Sequence, residues 1–541
     1  MFSTPSITNI DSSQAVQLDT AAMVPDYRSE ITTSENEDNL SLLYKLVVLE
    51  KAMTKFYDSV MKRSDSQTSP QGESILSDEH CFRFSMNKLA QACDSERGGK
   101  TVSAITALQG VDGTVFVLAS NQRDADELKT TTIFLERLLG LIGENPNNLK
   151  KKALAKLVLY QILEFCIKRV DLYLKYLGIS LDECIACCGM GADTELKEEL
   201  EKLKGLAVFP RDIVSNINAR QKCFSDCSTL MNAILAMKNT TLEKDLKKRA
   251  IGDSFSNPEP WHELQHYCGR LLSYRQAAET LVTAQERWPQ LFKSFKVFAI
   301  PSSTRMPRPI RNTSSQPITA TQIIHNMGLG KELEDDCIRK IQLLPHLGLN
   351  TTLQDIVANP RFRPIVHAEM LIHDCLQKLP IDPEQLYWNN WKYIGSSKPT
   401  CRLCSYYFEA QDVTVRETHN NIYQCWRLPE LPETADQTVV DMQRRLLTHL
   451  TERMQEDVKR LIFEKQRAGR RHDSATYSGT IGVARDFISA TSSDTGLPST
   501  RNEDLMTDKV GAHTTSWQDK HDDWIVTGDK SDISDEDYSD P

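Results

Sequence analysis

The apolar positions of the chain fall into blocks of different period. LSLLYKLVVLEKAMTKFYDSVMKR, from Leu40, repeats its apolar residues every three or four positions, which places them on one helical face. TVSAITALQGVDGTVFVLASN, residues 101–121, differs in kind: two β-rich runs flank Gly110-Val111-Asp112-Gly113, a short loop with the Gly and Asp that a hairpin turn requires. From Asp124 to about Phe298 the pattern is nearly all helical, with no repeat period. PSSTRMPRPIRNTSSQP, residues 301–317, reads as a Pro/Ser/Arg linker. Helical pattern resumes at Ala320. LYWNNWKYIG, residues 386–395, reads as a strand approach, and VTVRETHNNIYQCWRLP, residues 413–429, as one or two further strands. A long amphipathic helix is expected over 434–467.

These blocks predict an α/β fold that is α-rich overall. The expected order is a disordered N-terminus (1–38), an N-terminal helical segment (39–100), a hairpin (101–122), a helical stretch (123–300), a linker (301–319), an α/β segment (320–430), a C-terminal helix (431–468) and a disordered acidic tail (469–541) ending DKSDISDEDYSDP. Charge and cysteine usage narrow the setting. A net charge of −10 argues against wrapping duplex DNA but is compatible with a local basic groove for a single strand. In the linker, Arg305, Arg308 and Arg311 offer guanidiniums to phosphate; a solvated, semi-extended linker explains the same composition. The 14 cysteines lack a repeating spacing, and no apolar leader precedes them, so reduced thiols in cytoplasm or nucleus are expected. The most apolar stretch, ALAKLVLYQILEFCIKRVDLYL, carries Lys156, Glu164, Lys168, Arg169 and Asp171 and predicts a buried or amphipathic helix, so no membrane association is expected.

Two sets of residues have metal-ligand spacing. HELQH places His262 and His266 on one helix face, with Glu263 available as a base. A catalytic zinc needs a third protein ligand. Leu272 stands where one protease subclass has a histidine, and Glu279 and Glu286 lack a convincing context, so a pair of ordinary helical histidines is the expectation. The second set is richer. His367 and Glu369 are two apart in RPIVHAEML; Cys401 and Cys404 follow in GSSKPTCRLCSYYF. Cysteines at i and i+3 share a helix face, and a helix starting at Thr400 or Cys401 favours thiolate through its N-terminal amides, with Arg402 expected to help. His367 and Glu369 converge only if the metal lies off the end of their helix, a turn that Pro364 announces. Three ligands, His367, Cys401 and Cys404, then leave one zinc position open, and Glu369 stands beside it as proton shuttle.

VHAEM followed by YIGSSKPTCRLC resembles the cytidine-deaminase-like superfamily, and more closely a group of largely uncharacterised fungal proteins within it, predicted to deaminate nucleotides or nucleic acids. The resemblance covers about 100 residues and implies a three-layer core: a hairpin (101–121), the H-x-E helix, a strand (386–395), the C-x-x-C helix and further strands. It implies a large helical insertion between hairpin and H-x-E helix. It also implies a zinc ion and a substrate-contacting role for Asn121, a residue that a turn-capping role explains equally well. Thr400 intervenes between Pro399 and Cys401, where the superfamily places Pro directly before the first Cys.

The expected function is hydrolytic removal of an exocyclic amine from a nucleobase, in a nucleotide or a single-stranded nucleic acid. The alternative is a non-catalytic deaminase-like scaffold with a structural zinc, recruiting protein partners through its helices and acidic tail. Cys184, Cys187 and Cys188, with Cys223 and Cys227, are expected to be buried free thiols rather than a structural zinc site. His373 is expected to face core or solvent. His419 and Trp426 are candidates to line a base pocket, with packing the default for Trp426.

Overall fold

A computed structural model describes residues 34–58, 77–189, 193–211, 216–238, 240–251, 257–310, 317–379, 386–431 and 435–465. The expected tails therefore lie outside the described residues, with one correction. Helix α1 spans Ser34–Asp58, so residues 34–38 are helical.

Two β-strands, β1 (Ser103–Gly110) and β2 (Gly113–Ser120), follow helix α2 (Asp78–Cys93) and pair antiparallel through the expected turn. Gly113 has φ +138°, and a Cβ there would fall 2.2 Å from the carbonyl oxygen of Ser294, so only glycine fits the turn. Helices α3 (Ala125–Glu144), α4 (Lys151–Phe165), α5 (Ile167–Ala186), α6 (Thr194–Ala207), α7 (Ile217–Ala236), α8 (Thr241–Ile251), α9 (Glu259–Arg287) and α10 (Gln290–Lys293) fill the helical stretch. That stretch does not stay helical to its end. FKVFAI forms β3 (Phe295–Ile300), parallel to β2 with Val297 opposite Phe116. A parallel neighbour requires a crossover, and α3–α10 are that crossover. The six-residue strand abuts α10 directly, so its period-two signal is too short to stand out from the helical run before it.

The chain continues through α11 (Ala320–His325), α12 (Lys331–Ile341), α13 (Leu349–Ala358), α14 (Ala368–Gln377), β4 (Tyr393–Ser396), α15 (Arg402–Glu409), β5 (Thr414–Val415) and α16 (Gln437–Glu464). The mixed sheet has the order β3-β2-β1-β4-β5. The strand expected over 386–395 is shorter than its pattern: Tyr387 makes a single bridge to Leu108, then Asn389 and Asn390 adopt left-handed φ of 54° and 57° before β4 begins. Consecutive asparagines tolerate that conformation where most residues do not.

Both sheet faces are covered by helices. Ile105, Ala107, Phe116 and Leu118 point into a core built with α2 to α10. Ala104, Leu108, Val115, Val117 and Ala119 point the other way, into a core built with α1 and α11 to α16. Alternate residues of one strand thus serve opposite cores, which is why β1 and β2 read as nearly continuous apolar runs. The segment expected as a solvated linker instead runs along the sheet's end: Ser302 Oγ donates to Ser120 O at 2.8 Å, Met306 N to Pro364 O at 2.8 Å, and Ile310 is buried. Among the described residues no helix is long and apolar enough to cross a membrane.

Candidate metal centre

Two helix N-termini meet beside the sheet. His367 is the N-cap of α14, with extended backbone (φ −73°, ψ 154°), and its side chain makes no capping bond to that helix. Cys401 is the N-cap of α15 (φ −72°, ψ 162°), and its Sγ accepts from Cys404 N at 3.5 Å. Both side chains therefore leave the backbone where unpaired amides and the positive end of the helix dipole point outward, a setting that favours anionic sulfur.

His367 Nδ1 lies 3.5 Å from Cys401 Sγ and 3.4 Å from Cys404 Sγ. Zinc bonds of about 2.0–2.1 Å to nitrogen and 2.3 Å to sulfur, at a tetrahedral angle, set an N···S edge of about 3.6 Å. The three donors thus stand at nearly the separations that one shared ion imposes, and their atoms all lie within 4.8 Å of one another. Among the described residues this is the sole cluster of three or more potential ligand groups. Imidazole with two thiols is a borderline-soft donor set that suits zinc. Burial raises the Cys401 thiol, but its contacts with Cys404 and His367 outweigh that and hold it well below the ordinary range. Burial and the neighbouring Cys401 sulfur keep Cys404 high.

Glu369, the second residue of α14, is only 4 % exposed. Burial raises its carboxyl, opposed by His367, reinforced by Cys401, and moderated by a hydrogen bond with Ser396 at the end of β4. Asn121 closes β2 against the same helix end: its Oδ1 accepts from Ala368 N at 2.9 Å, and its Nδ2 donates to Gly99 O at 3.0 Å. The hairpin thereby positions α14, a capping function performed from another element.

Trp426 is buried and does more than pack. Its Nε1 donates to Cys404 Sγ at 3.2 Å, while its carbonyl accepts from Tyr44 of α1 at 3.1 Å. Nothing local in the sequence announces that bond, because Trp426 reaches the sulfur through a backbone bridge with Ile365. Tyr423 stands edge-on to His367 and His419, with centroids 6.3 and 5.7 Å away. His419 is buried, and its Nδ1 accepts from Asn421 N at 2.9 Å. Arg402 corrects its expectation. Its guanidinium turns away from the sulfurs into a buried network with Glu50 of α1 and Asp457 of α16, and so docks α15 on two other helices.

His373 links α14 to α15 through a 2.8 Å hydrogen bond between its Nδ1 and Tyr407 Oη. Burial pushes its imidazole down to about 4 from an ordinary 6.5. A depressed folded-state value adds stability that is present above the unfolded value and lost as pH falls through the folded one. His373→Gln is expected to remove this dependence: between pH 7 and pH 5 the wild-type chain should lose about 2 kcal/mol more stability than the variant. Urea denaturation at the two pH values checks it, and parallel pH profiles would contradict it.

The HELQH motif gathers no metal site. His262 and His266 lie on α9, Glu263 hydrogen-bonds Tyr267, and no third ligand joins them among the described residues. Cys184, Cys223 and Cys227 are buried free thiols, with a side-chain hydrogen bond between Cys223 and Cys227 on α7, whereas Cys188 is half-buried and Cys187 exposed. An exposed Cys187 departs from the expectation of buried thiols: the helix ends there, at the C-cap of α5.

A family model described as OTT_1508_deam:-like deaminase matches residues 366–430. The matched stretch contains His367, Glu369, Cys401 and Cys404, so the chain carries a deaminase-like segment coincident with the metal-ligand cluster. No curated protein and no solved structure matches the chain.

Proposed function

We propose that the chain is a zinc-dependent deaminase that hydrolytically removes an exocyclic amine from a nucleobase, most simply C4 of cytosine or C6 of adenine, in a nucleotide or a single strand. The observation that carries this reading is the meeting of His367 Nδ1 with both sulfurs at 3.4 and 3.5 Å, beside a buried carboxylate two residues along. His367, Cys401 and Cys404 would hold the ion, which supplies Lewis acidity at neutral pH. Glu369 carries the proton. Its carboxylate takes one proton from the attacking water and passes it to the ring nitrogen, then takes the second from the added hydroxyl as the C=O forms and passes it to the leaving amine, so that water and amino base become carbonyl base and ammonia; burial, which raises this carboxyl, suits it to both holding and releasing a proton. Asn121 fixes the helix end that aims Glu369, and the bond from Trp426 steadies Cys404.

The order hairpin, H-x-E helix, strand, C-x-x-C helix, strand supports a cytidine-deaminase-like core in which β4 lies beside β1. In this reading α3–α10 are an insertion of that core and β3 an added edge strand. Protein partners recruited by the acidic tail, and residence in cytoplasm or nucleus, belong to the same reading. Deep burial of Glu369 and its bond to Ser396 favour one alternative, a scaffold with a structural zinc. Purified chain incubated with nucleosides, nucleotides, single-stranded DNA and single-stranded RNA decides between them. Release of ammonia matched by the carbonyl base in at least one case, stopped by a chelator, is the expected result; an inert zinc-loaded chain across the panel contradicts it.

A further inference from the structure

Arg305, Arg308 and Arg363 are exposed on a backbone fixed beside the metal centre. Met306 N donates to Pro364 O at 2.8 Å, and Val366 N donates to Ser303 Oγ at 2.9 Å, so residues 303–306 run alongside 364–366. Arg305 and Arg363 are each one residue from the same hydrogen bond. Arg363 is four residues before His367, at most about 14 Å of extended chain. On the other side, Arg305 Nη2 donates to Gln122 Oε1, next to Asn121, whose side chain holds the start of α14. The rim therefore borders the site from both the hairpin end and the approach to His367.

The charge of this rim is not neutralised locally. Neither 301–310 nor 359–368 contains an Asp or Glu. Among the described residues, none of the three guanidiniums pairs with a carboxylate. Arg427, which donates to Thr304 O at 2.9 Å, is buried and paired with Glu430. The overall charge of −10 does not describe this surface: residues 501–541 hold 12 acidic and 4 basic side chains, so eight of the ten net negative charges lie there. Screening confines fields to about 10 Å at 0.1 M salt, so nearby arginines govern what approaches His367.

We propose that this arginine rim binds the phosphodiester backbone of a single-stranded nucleic acid and presents one of its bases to Glu369, an inference that rests on the deaminase reading. Guanidinium pairs with phosphate oxygens in a planar fork, and three of them spread over two adjacent antiparallel segments match successive phosphates of a strand rather than the single phosphate of a mononucleotide. Glu369 is buried, so a base must leave any stack to reach it, which a single strand does without breaking pairs.

The test uses the full zinc-loaded chain, a fluorescent single-stranded oligonucleotide and anisotropy titrations over a range of salt, with the wild type beside a triple variant, Arg305→Gln, Arg308→Gln and Arg363→Gln. Each phosphate contact contributes about 0.7 to the salt slope of single-strand binding, so the variant's slope should shallow by about 2 and its affinity fall ~100-fold at 0.1 M salt. Zinc content and Tm should be unchanged. A variant with wild-type slope and affinity overturns the proposal, as does equally tight binding of a duplex of the same sequence. Arginine-dependent strand binding by a chain that releases no amine from any substrate sustains the rim and sinks the deaminase reading; arginine-independent binding by an active deaminase sinks the rim alone.

Discussion

Glu369→Gln should lower amine release by about 10²–10⁴-fold, the contribution typical of a positioned proton carrier. The amide is nearly isosteric and retains a partner for Ser396, so the local packing of α14 against β4 is preserved. What it lacks is the ability to accept and return a proton. Zinc content should stay at the wild-type level, because Glu369 is not among the three clustered ligand groups. Single-turnover rates and metal analysis of the same preparation check this together. Activity within a few-fold of wild type would remove Glu369 from the chemistry. Abolished amine release with zinc retained excludes the scaffold alternative, which has no use for a carboxylate at that position.

Cys404→Ser should cost the metal itself. A serine hydroxyl does not ionise at neutral pH, so the site falls to one thiolate and one imidazole, below the three protein ligands that a zinc site with one open position needs. Trp426 Nε1 then faces a neutral oxygen in place of sulfur. After dialysis, zinc should drop from one per chain to a small fraction. Metal binding contributes directly to folding free energy, so Tm should fall as well, and a chelator should lower the wild-type Tm toward that of the variant. A variant that keeps one zinc per chain would place the metal elsewhere. The other cysteine clusters are poor refuges, since among the described residues none assembles three potential ligand groups.

Both ligand helices are legible in the sequence because their signals are local. Pro364 before His367 and the i, i+3 spacing of Cys401 and Cys404 specify two helix starts, and the structure makes His367 and Cys401 N-caps. The hairpin is equally local: two β-rich runs and a glycine that only a left-handed turn explains. What is illegible depends on distant partners. β3 is six residues that become a strand by pairing with β2 across eight helices. Arg402 sits beside a thiolate in sequence but is drawn to carboxylates on α1 and α16, residues that no local pattern places near it. Trp426 and Asn121 support the site through single hydrogen bonds to Cys404 and Ala368, formed only once the sheet and helices have docked. The segment 301–310 reads as linker because Pro, Ser and Arg carry no period, although the Met306 amide, bonded to Pro364 O, and the Ser303 hydroxyl, bonded by Val366 N, hold it against the site.

Zinc-edge X-ray absorption on the purified wild-type chain tests the central claim most directly. A first shell of two sulfurs at about 2.3 Å and two lighter atoms at about 2.0–2.1 Å is the predicted result, the signature of one imidazole, two thiolates and one open position. A shell without sulfur, one with four sulfurs, or a chain that retains no zinc after purification would contradict it.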